Sequence, residues 1–395
     1  MICTTSTVKT SLEHLTQFVD RNLAAGVDHM FVFLDDEMPE GSELLASNPC
    51  VTVVQAYGDY WGERRPPGLN TRQTINANLV RVLLAPLPWA QWLFHIDSDE
   101  ALDIDKGYLT SLAPSVTSIQ LQVLEVVSTP DGASQDLFKR PLTDRELTLL
   151  TVLGVIDRPE NRALYNGYVM GKPGIRPSLD RQLHIHRAKD LNAEPLEMLR
   201  HEALRVLHYD SLSLEDFRRK WAAHHAPGQA AVYGEKKDRI RSALGSIVEN
   251  EKLDEAQKDR YITRLYELEV QDDVATLDEL GFLERLSPDR HQHTPRPLSG
   301  QQRTDVQTLL PLLTRSHKDH FRLHVHDKEP AALLRSLSAE LRDTAPELAD
   351  ALERTAATPQ RPPRSRLRST ALAAMPPGVR GALRRLPPAI RERLT

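Results

Sequence analysis

The chain has 395 residues and only two cysteines, Cys3 and Cys50. That excludes a disulfide framework and a cysteine-based zinc finger, and a reducing compartment is the expectation. No Asn-x-Ser/Thr sequon occurs, as fits a protein not exported for glycosylation. No run of about 20 apolar residues is present, so no membrane-spanning helix is expected. The most apolar stretch, residues 79–96, is broken by Arg81, two prolines and Gln91. The start, MICTTSTVKT, lacks the basic start and apolar run of a secretory signal. Neither sign of charge dominates. With 50 basic and 55 acidic residues the net charge is -5, which argues against a surface built wholly for nucleic acid.

Several catalytic signatures are missing as well. There is no Gly-x-Gly-x-x-Gly and no Gly-x-Ser-x-Gly. Gly167 to Pro173 falls short of a phosphate loop, with three residues between its glycines and a proline after Lys172. His201-Glu202 would open a zinc-protease helix, but Arg205 stands where the second histidine is needed.

What is there suits a globular protein: 40% hydrophobic and 27% charged residues, with a length of roughly two to three domains. The first hundred residues alternate strand and helix. Residues 2–8 read as a short strand. Ser11 then caps a helix carrying Leu12, Leu15, Val19 and Leu23 at helical spacing, stopped by Gly26. Met30 to Leu34 is apolar on both faces, as a strand inside a parallel sheet must be. Val51 to Val54 is a third strand. Asn70, with Gln73 three residues on, is placed to cap a helix over Ile75, Leu79, Val82 and Leu83, ended by Pro86 and Pro88. Trp92 to Ile96 is a fourth strand and Ser118 to Val127 a fifth. This rhythm belongs to an open α/β sheet, in which ligands bind beyond the carboxyl ends of the strands.

Two acidic clusters fall at such ends: Asp35-Asp36 after the second strand, and Asp97-Ser98-Asp99-Glu100 after the fourth. An Asp-x-Asp alone is a common solvated turn. At the end of a buried strand it brings two carboxylates to one point, where a hard divalent cation finds oxygen ligands and keeps open positions for phosphate.

Five features in order resemble the family-2-like bacterial glycosyltransferases. They are the first strand with its helix ending Ala25-Gly26-Val27-Asp28-His29; Phe33-Leu34-Asp35-Asp36; Arg72-Gln73 with Asn76; Trp92 through Glu100; and Val206-Leu207-His208-Tyr209 before Phe217 and Lys220-Trp221. The similarity covers about residues 1–225. Ala101-Leu102 departs from it, since an aromatic is expected after the glutamate. The resemblance implies an α/β fold of the GT-A type, a Rossmann-like mostly parallel sheet flanked by helices, with a helical C-terminal extension. It implies a metal-dependent hexosyltransferase that moves sugar from a UDP- or GDP-sugar to a glycan or glycolipid hydroxyl, with Mn²⁺ or Mg²⁺ as cofactor. Asp97 and Asp99 would bind the metal–diphosphate, with His208 completing the metal shell or standing as a buried hydrogen-bonded histidine. Asp35 would meet the nucleoside. Arg72, Gln73 and Asn76 would face phosphates or sugar, and Lys172 and His184 would line the donor or acceptor pocket. Glu125 is the first candidate for the general base an inverting transfer needs, with Asp131 and Asp136 next.

The rest of the chain gives organisation. Residues 128–190 read as loops and short strands rimming a site, with Tyr60-Trp61 in a loop beside it. The expected division is a glycosyltransferase domain over 1–235, a helical appendage over 236–290, a linker and helical segment over 291–360, and a basic Pro/Arg-rich tail over 361–395. His317, His320, His324 and His326 read as a solvated helix face. The tail holds nine arginines and one acid. It is either a solubilising segment or a contact with anionic lipid, which would put the enzyme at the cytoplasmic face of a membrane, where envelope glycans are made. Two rival functions remain: a non-catalytic nucleotide- or glycan-binding module of the same fold, and a nucleotidyltransferase, which its glycine-free first loop disfavours.

Overall fold

The computed structural model describes residues 1–191, 193–224, 235–286, 293–323 and 329–358. The basic tail, His324 and His326 therefore lie outside the described residues.

Strand β1 (Ile2–Val8) is followed by helix α1 (Leu12–Ala24), β2 (His29–Leu34), α2 (Pro39–Ser47), β3 (Val51–Gln55), α3 (Leu69–Leu84) and β4 (Trp92–His95). β1 runs parallel to both β2 and β4, and β2 parallel to β3. Ser11 caps α1 by accepting from the His14 amide, and Gly26 turns the chain at φ +106°, a backbone that favours glycine. The cap of α3 differs from expectation. The residue at its N-terminus is Gly68, so Asn70 sits inside the first turn. Two elements between the expected strands had no periodic signal long enough to stand out: α2, and β5 (Glu100–Ile104) directly after the acidic turn.

The remaining strands are β6 (Ser118–Gln120), β7 (Gln122–Val126), β8 (Leu137–Lys139), β9 (Pro173–Ile175), β10 (Arg181–Leu183), β11 (Ala188–Asp190), β12 (Leu204–His208) and β13 (Leu283–Arg285). The expected fifth strand is thus two strands that part at Leu121. β6 joins the first sheet, ordered β3-β2-β1-β4-β9-β6. β7 joins a second, ordered β13-β8-β7-β12-β5. Because β5 follows β4 after one tight turn, the acidic turn lies where the chain passes from one sheet to the other. The architecture is mixed α/β with helices flanking the sheets, compatible with a Rossmann-like GT-A arrangement.

Every residue of α3 from Arg72 to Leu84 is buried. One side meets β1. The other is covered by the helix Gly300–Arg315 and the turn Lys318–Phe321. Leu79, Val82 and Leu83 share one apolar cluster with Leu309, Leu313 and Phe321. The helix Gly300–Arg315 lies in the stretch expected as a linker and helical segment, capped by Ser299 and Gln302. The stretch expected as a helical appendage does supply helices, at Glu235–Val248, Glu255–Glu269 and Val274–Glu279. It also contributes β13, which pairs with β8, and Asp272, which accepts from the Ser128 amide at 2.8 Å. No described helix is long and apolar enough to cross a membrane.

Candidate functional site

β2 ends in Asp35, whose side chain is almost wholly buried. Arg72 on α3 grips it in two-pronged fashion, Nε donating to Oδ1 at 2.8 Å and Nη2 to Oδ2 at 2.7 Å. Arg65 adds a contact to Oδ2 at 3.0 Å. The third prong of Arg72 donates to the carbonyls of Pro66 and Pro67. In this arrangement Arg72, expected to face phosphates or sugar, faces Asp35 and its own loop. Asn76 also turns away from the acidic turn. It donates to Thr7 Oγ1 at 2.9 Å and accepts from the Tyr60 hydroxyl at 2.6 Å, which fixes the Tyr60-Trp61 loop against β1.

The acidic turn after β4 is held from three sides. Gln73 donates to Asp97 Oδ1 at 2.6 Å, and Lys172 donates to Asp97 Oδ2. Glu100 accepts from the Asp97 amide at 2.8 Å, from the Tyr168 hydroxyl, and lies 3.4 Å from Lys172 Nζ. Lys172 is fully buried. Its aim is set by Gly171, at φ +73°, where a Cβ would lie 1.8 Å from the Leu121 carbonyl oxygen. Asp97 and Asp99 keep 26% and 37% of their side chains exposed, which makes them the mouth of the cluster.

Strand register explains the next layer. His208 on β12 lies opposite Glu100 on β5 and Glu125 on β7. Three neighbouring strands thus place an acid, a histidine and an acid abreast. His208 Nδ1 is 3.2 Å from Glu125 Oε2, and Nε2 is 3.6 Å from Asp99 Oδ2. Glu125 is closed off. It accepts from the amides of Asn166 and Gly167 at 2.6 Å each and pairs with the buried Lys139 at 3.1 Å. Glu125, expected as a base facing an acceptor, is fully buried in this arrangement and holds His208. Asp131 does not join the cluster either. It lies on an exposed turn and accepts from Thr129 and the Ala133 amide. Asp136 pairs with Arg285.

Lys220, on the helix Leu214–His224, bridges Asp99 Oδ2 at 3.2 Å and Asp210 Oδ1 at 2.6 Å. Lys237 reaches the other Asp210 oxygen at 3.0 Å. His184 sits at the turn of the β10–β11 hairpin, its amide bonded to the Arg187 carbonyl. In that same turn it is His186 whose ring meets Tyr168, 4.4 Å between centroids, and Tyr168 in turn lies 4.9 Å from His208.

The electrostatics follow from these contacts. Burial opposes charging of His208, but Asp99 and Glu125 outweigh it and raise its pKa to about 10. Burial likewise opposes ionisation of Asp99, yet Lys220 and His208 hold it well below the usual carboxylate range. For Glu125 the pull of Lys139 and His208 again wins over burial, and its pKa falls. Glu100 goes the other way. Burial pushes it up, Lys172 opposing and Asp97 reinforcing.

Among the described residues, ligand atoms of Asp99, Glu100 and His208 lie within 4.8 Å of one another, as do those of Glu125, His208 and Asp210. Two carboxylates and an imidazole fit a borderline-hard divalent ion such as Mn²⁺. Asp99 and Glu100 would hold it, and His208 would join them only after giving up the proton that Asp99 and Glu125 hold on it. Asp97 belongs to neither set, and its oxygens accept from Gln73 and Lys172.

Glu100, Tyr168, Lys139, Asp210, Lys220 and Lys237 were not among the residues the sequence singled out as site candidates. The Lys220-Trp221 pair and the acid two residues after His208 carried a signal. Lys139 and Asp272 carried none, because only the fold brings them to Glu125.

No known protein family matches the chain, and no curated protein does. Among solved structures it is similar to the mannose-1-phosphate geranyltransferase from Thermus thermophilus, at 12% identity over 72% of each chain, with a TM-score of 0.24. A likeness that low carries no argument about function.

Proposed function

We propose that this chain is a metal-assisted glycosyltransferase that moves a hexosyl group from a UDP- or GDP-sugar to a glycan or glycolipid hydroxyl. The observation that carries the reading is the partly exposed pair Asp97 and Asp99 at the carboxyl end of β4, ringed by Lys172, Lys220 and His208. Ligands of α/β proteins bind at such strand ends. A carboxylate pair among fixed cations is what a metal–diphosphate needs.

Transfer breaks the bond between the anomeric carbon and the diphosphate oxygen, and negative charge grows on the leaving group. Asp99, with Glu100 and His208 beside it, would hold a divalent ion, which when bound would supply Lewis-acid stabilisation of that charge. Lys172, buried between Asp97 and Glu100, would add fixed positive charge, and Lys220 a second cation beside the leaving group. Glu125 and Lys139 keep His208 in place. Gln73 fixes the rotamer of Asp97. Arg72 and Arg65 immobilise Asp35, which positions the loop after β2 for the nucleoside. The arginine-rich tail supports contact with anionic lipid at the cytoplasmic face, where a glycolipid acceptor would be met.

The test is release of nucleoside diphosphate from UDP- and GDP-hexoses with Mn²⁺, with and without glycan acceptors. Release that needs Mn²⁺ and falls at least 100-fold in Asp99→Asn is expected. A well-folded protein that releases none would overturn the reading. One observation favours the second reading, a binding module without turnover: Glu125 is fully engaged and offers no open base. Nucleotide binding without turnover across the same donors would support it.

A further inference from the structure

Asp97 and Asp99 do not stand as bare carboxylates. Lys172 sits on the first, and Lys220 with His208 on the second. A divalent ion arriving alone at Asp99 would meet an ammonium 3.2 Å from the oxygen it needs. Like charges at that range repel strongly in a partly buried site.

Lys220 has somewhere else to go. Its other contact, Asp210 at 2.6 Å, is buried and is shared with Lys237 at 3.0 Å. Lys220 is thus shared between Asp99 and Asp210, and both lysine side chains remain about a quarter exposed, within reach of an anion from solvent. With Asn166, Asp210, Ser211 and Trp221 they line a narrow cleft with room for about one water molecule, so an anion would have to meet them from the solvent side. Lys236 adds a third cation beside it, donating to Asn166 Oδ1 at 2.8 Å. An ammonium has three donors. Lys220 can keep Asp210 and give up Asp99 if an anionic oxygen takes its place.

We propose that Lys220 is a tethered counter-ion that blocks Asp99 against a lone divalent cation and passes to a diphosphate when metal and anion enter together. Metal and diphosphate then bind as one ion pair, not in an order with metal first. Lys237, which does not touch Asp99 in this arrangement, contributes to the anion alone. The proposal rests on the metal–diphosphate part of the reading above, and not on sugar transfer.

The two lysines make opposite predictions, which a merely structural role would not. Mn²⁺ binding without any anion is read from the free-ion electron paramagnetic resonance signal. Binding of labelled inorganic pyrophosphate with Mn²⁺ present is read by equilibrium dialysis. Lys220→Met should tighten Mn²⁺ alone about fivefold or more and weaken pyrophosphate about tenfold. Lys237→Met should weaken pyrophosphate and leave Mn²⁺ alone unchanged. The gain in Mn²⁺ affinity should vanish in the double variant with Asp99→Asn. Lys220→Gln, which keeps a donor for Asp210, serves if the methionine variant folds poorly. Unchanged or weaker Mn²⁺ binding in the Lys220 variants overturns the proposal. So does a gain that survives loss of Asp99, or a wild-type protein that binds no pyrophosphate. If the lysine pattern holds while no UDP- or GDP-hexose is ever turned over, the counter-ion stands and the transferase reading fails.

Discussion

His208 Nδ1 stands 3.2 Å from Glu125 Oε2, and both side chains are buried. The glutamate is held in turn by Lys139, and Lys139 by Asp272 at 2.9 Å. This chain of alternating charges runs from the site mouth at Asp99 to a loop 173 residues further along the sequence. It fixes His208 from behind, so that its Nε2 faces Asp99.

Glu125→Gln should therefore cost stability and loosen the site together. The variant leaves Lys139 buried with Asp272 as its remaining acid. Removing one partner of a buried charge pair typically costs about 3–5 kcal/mol, and the surviving Asp272 should reduce that to about 1–3 kcal/mol. Urea unfolding reads the loss. If Glu125 instead served only as a base toward the acceptor, stability would be unchanged and the loss would fall on turnover alone.

Gly167 offers a sharper probe of the same histidine. A Cβ there would lie 2.1 Å from His208 Cε1 and 2.7 Å from Glu125 Oε2. Gly167→Ala should push the imidazole out of line and weaken Mn²⁺ plus pyrophosphate binding about tenfold. Gly154→Ala serves as the control. It has a left-handed backbone, at φ +76°, but nothing lies within 4 Å of its Cβ position. The control should lose stability without losing binding, as dialysis and thermal melting together would show.

The parallel half of the fold was legible because buried strands leave a strong mark. Met30 to Leu34 and Trp92 to Ile96 are apolar on both faces, and each runs straight into acids. The turn at Asp97 to Glu100 was legible for the same reason. The second sheet was not. Its strands β8 and β13 are three residues each and come from distant parts of the chain, so no local period reports them. The partners of the acids were hidden for a related reason. Arg72 and Asp35 are 37 residues apart and Lys139 and Asp272 are 133 apart, and only packing decides which charge meets which. Arg72 could be placed near phosphate from its position on α3, but not turned toward Asp35.

The C-terminal helices should prove integral to the first domain. α3 is polar enough in sequence to pass for a half-exposed helix, with Arg72, Gln73, Asn76, Asn78 and Arg81 along it, yet each of these is buried. Arg81 survives there by donating to Asn78 Oδ1 at 3.0 Å and to the Ser178 carbonyl. Leu313, wholly buried in the cluster that α3 shares, is the cleanest probe. Leu313→Ala should cost about 2–5 kcal/mol, the usual range for truncating a buried leucine. A chain ending at residue 290 should fail to give a cooperative melt. A sharp, unshifted melt for that truncation would show that the helices are a separate unit.

Acid should weaken the fold through His29. The ring is buried beside Phe31 at an edge-to-face angle of 71°, with Nε2 2.8 Å from Thr52 Oγ1. Burial first, and then Arg303, lowers its pKa to about 4 from the ordinary 6.5. The unfolded chain therefore binds a proton that the folded chain refuses between those values. The stabilisation is complete above pH 6.5 and is lost as pH falls from there toward 4, by about 3 kcal/mol in all at about 1.4 kcal/mol per pH unit. Carboxylates and other histidines titrate in the same window, so the quantity to read is a difference. Urea midpoints of wild type and His29→Gln, measured from about pH 7.5 to about 4.5, should converge as the pH falls. The glutamine variant carries no proton to bind and should show the flatter profile. Parallel profiles would mean that His29 is charged as readily in the folded protein as in the unfolded chain, and that its pocket admits water.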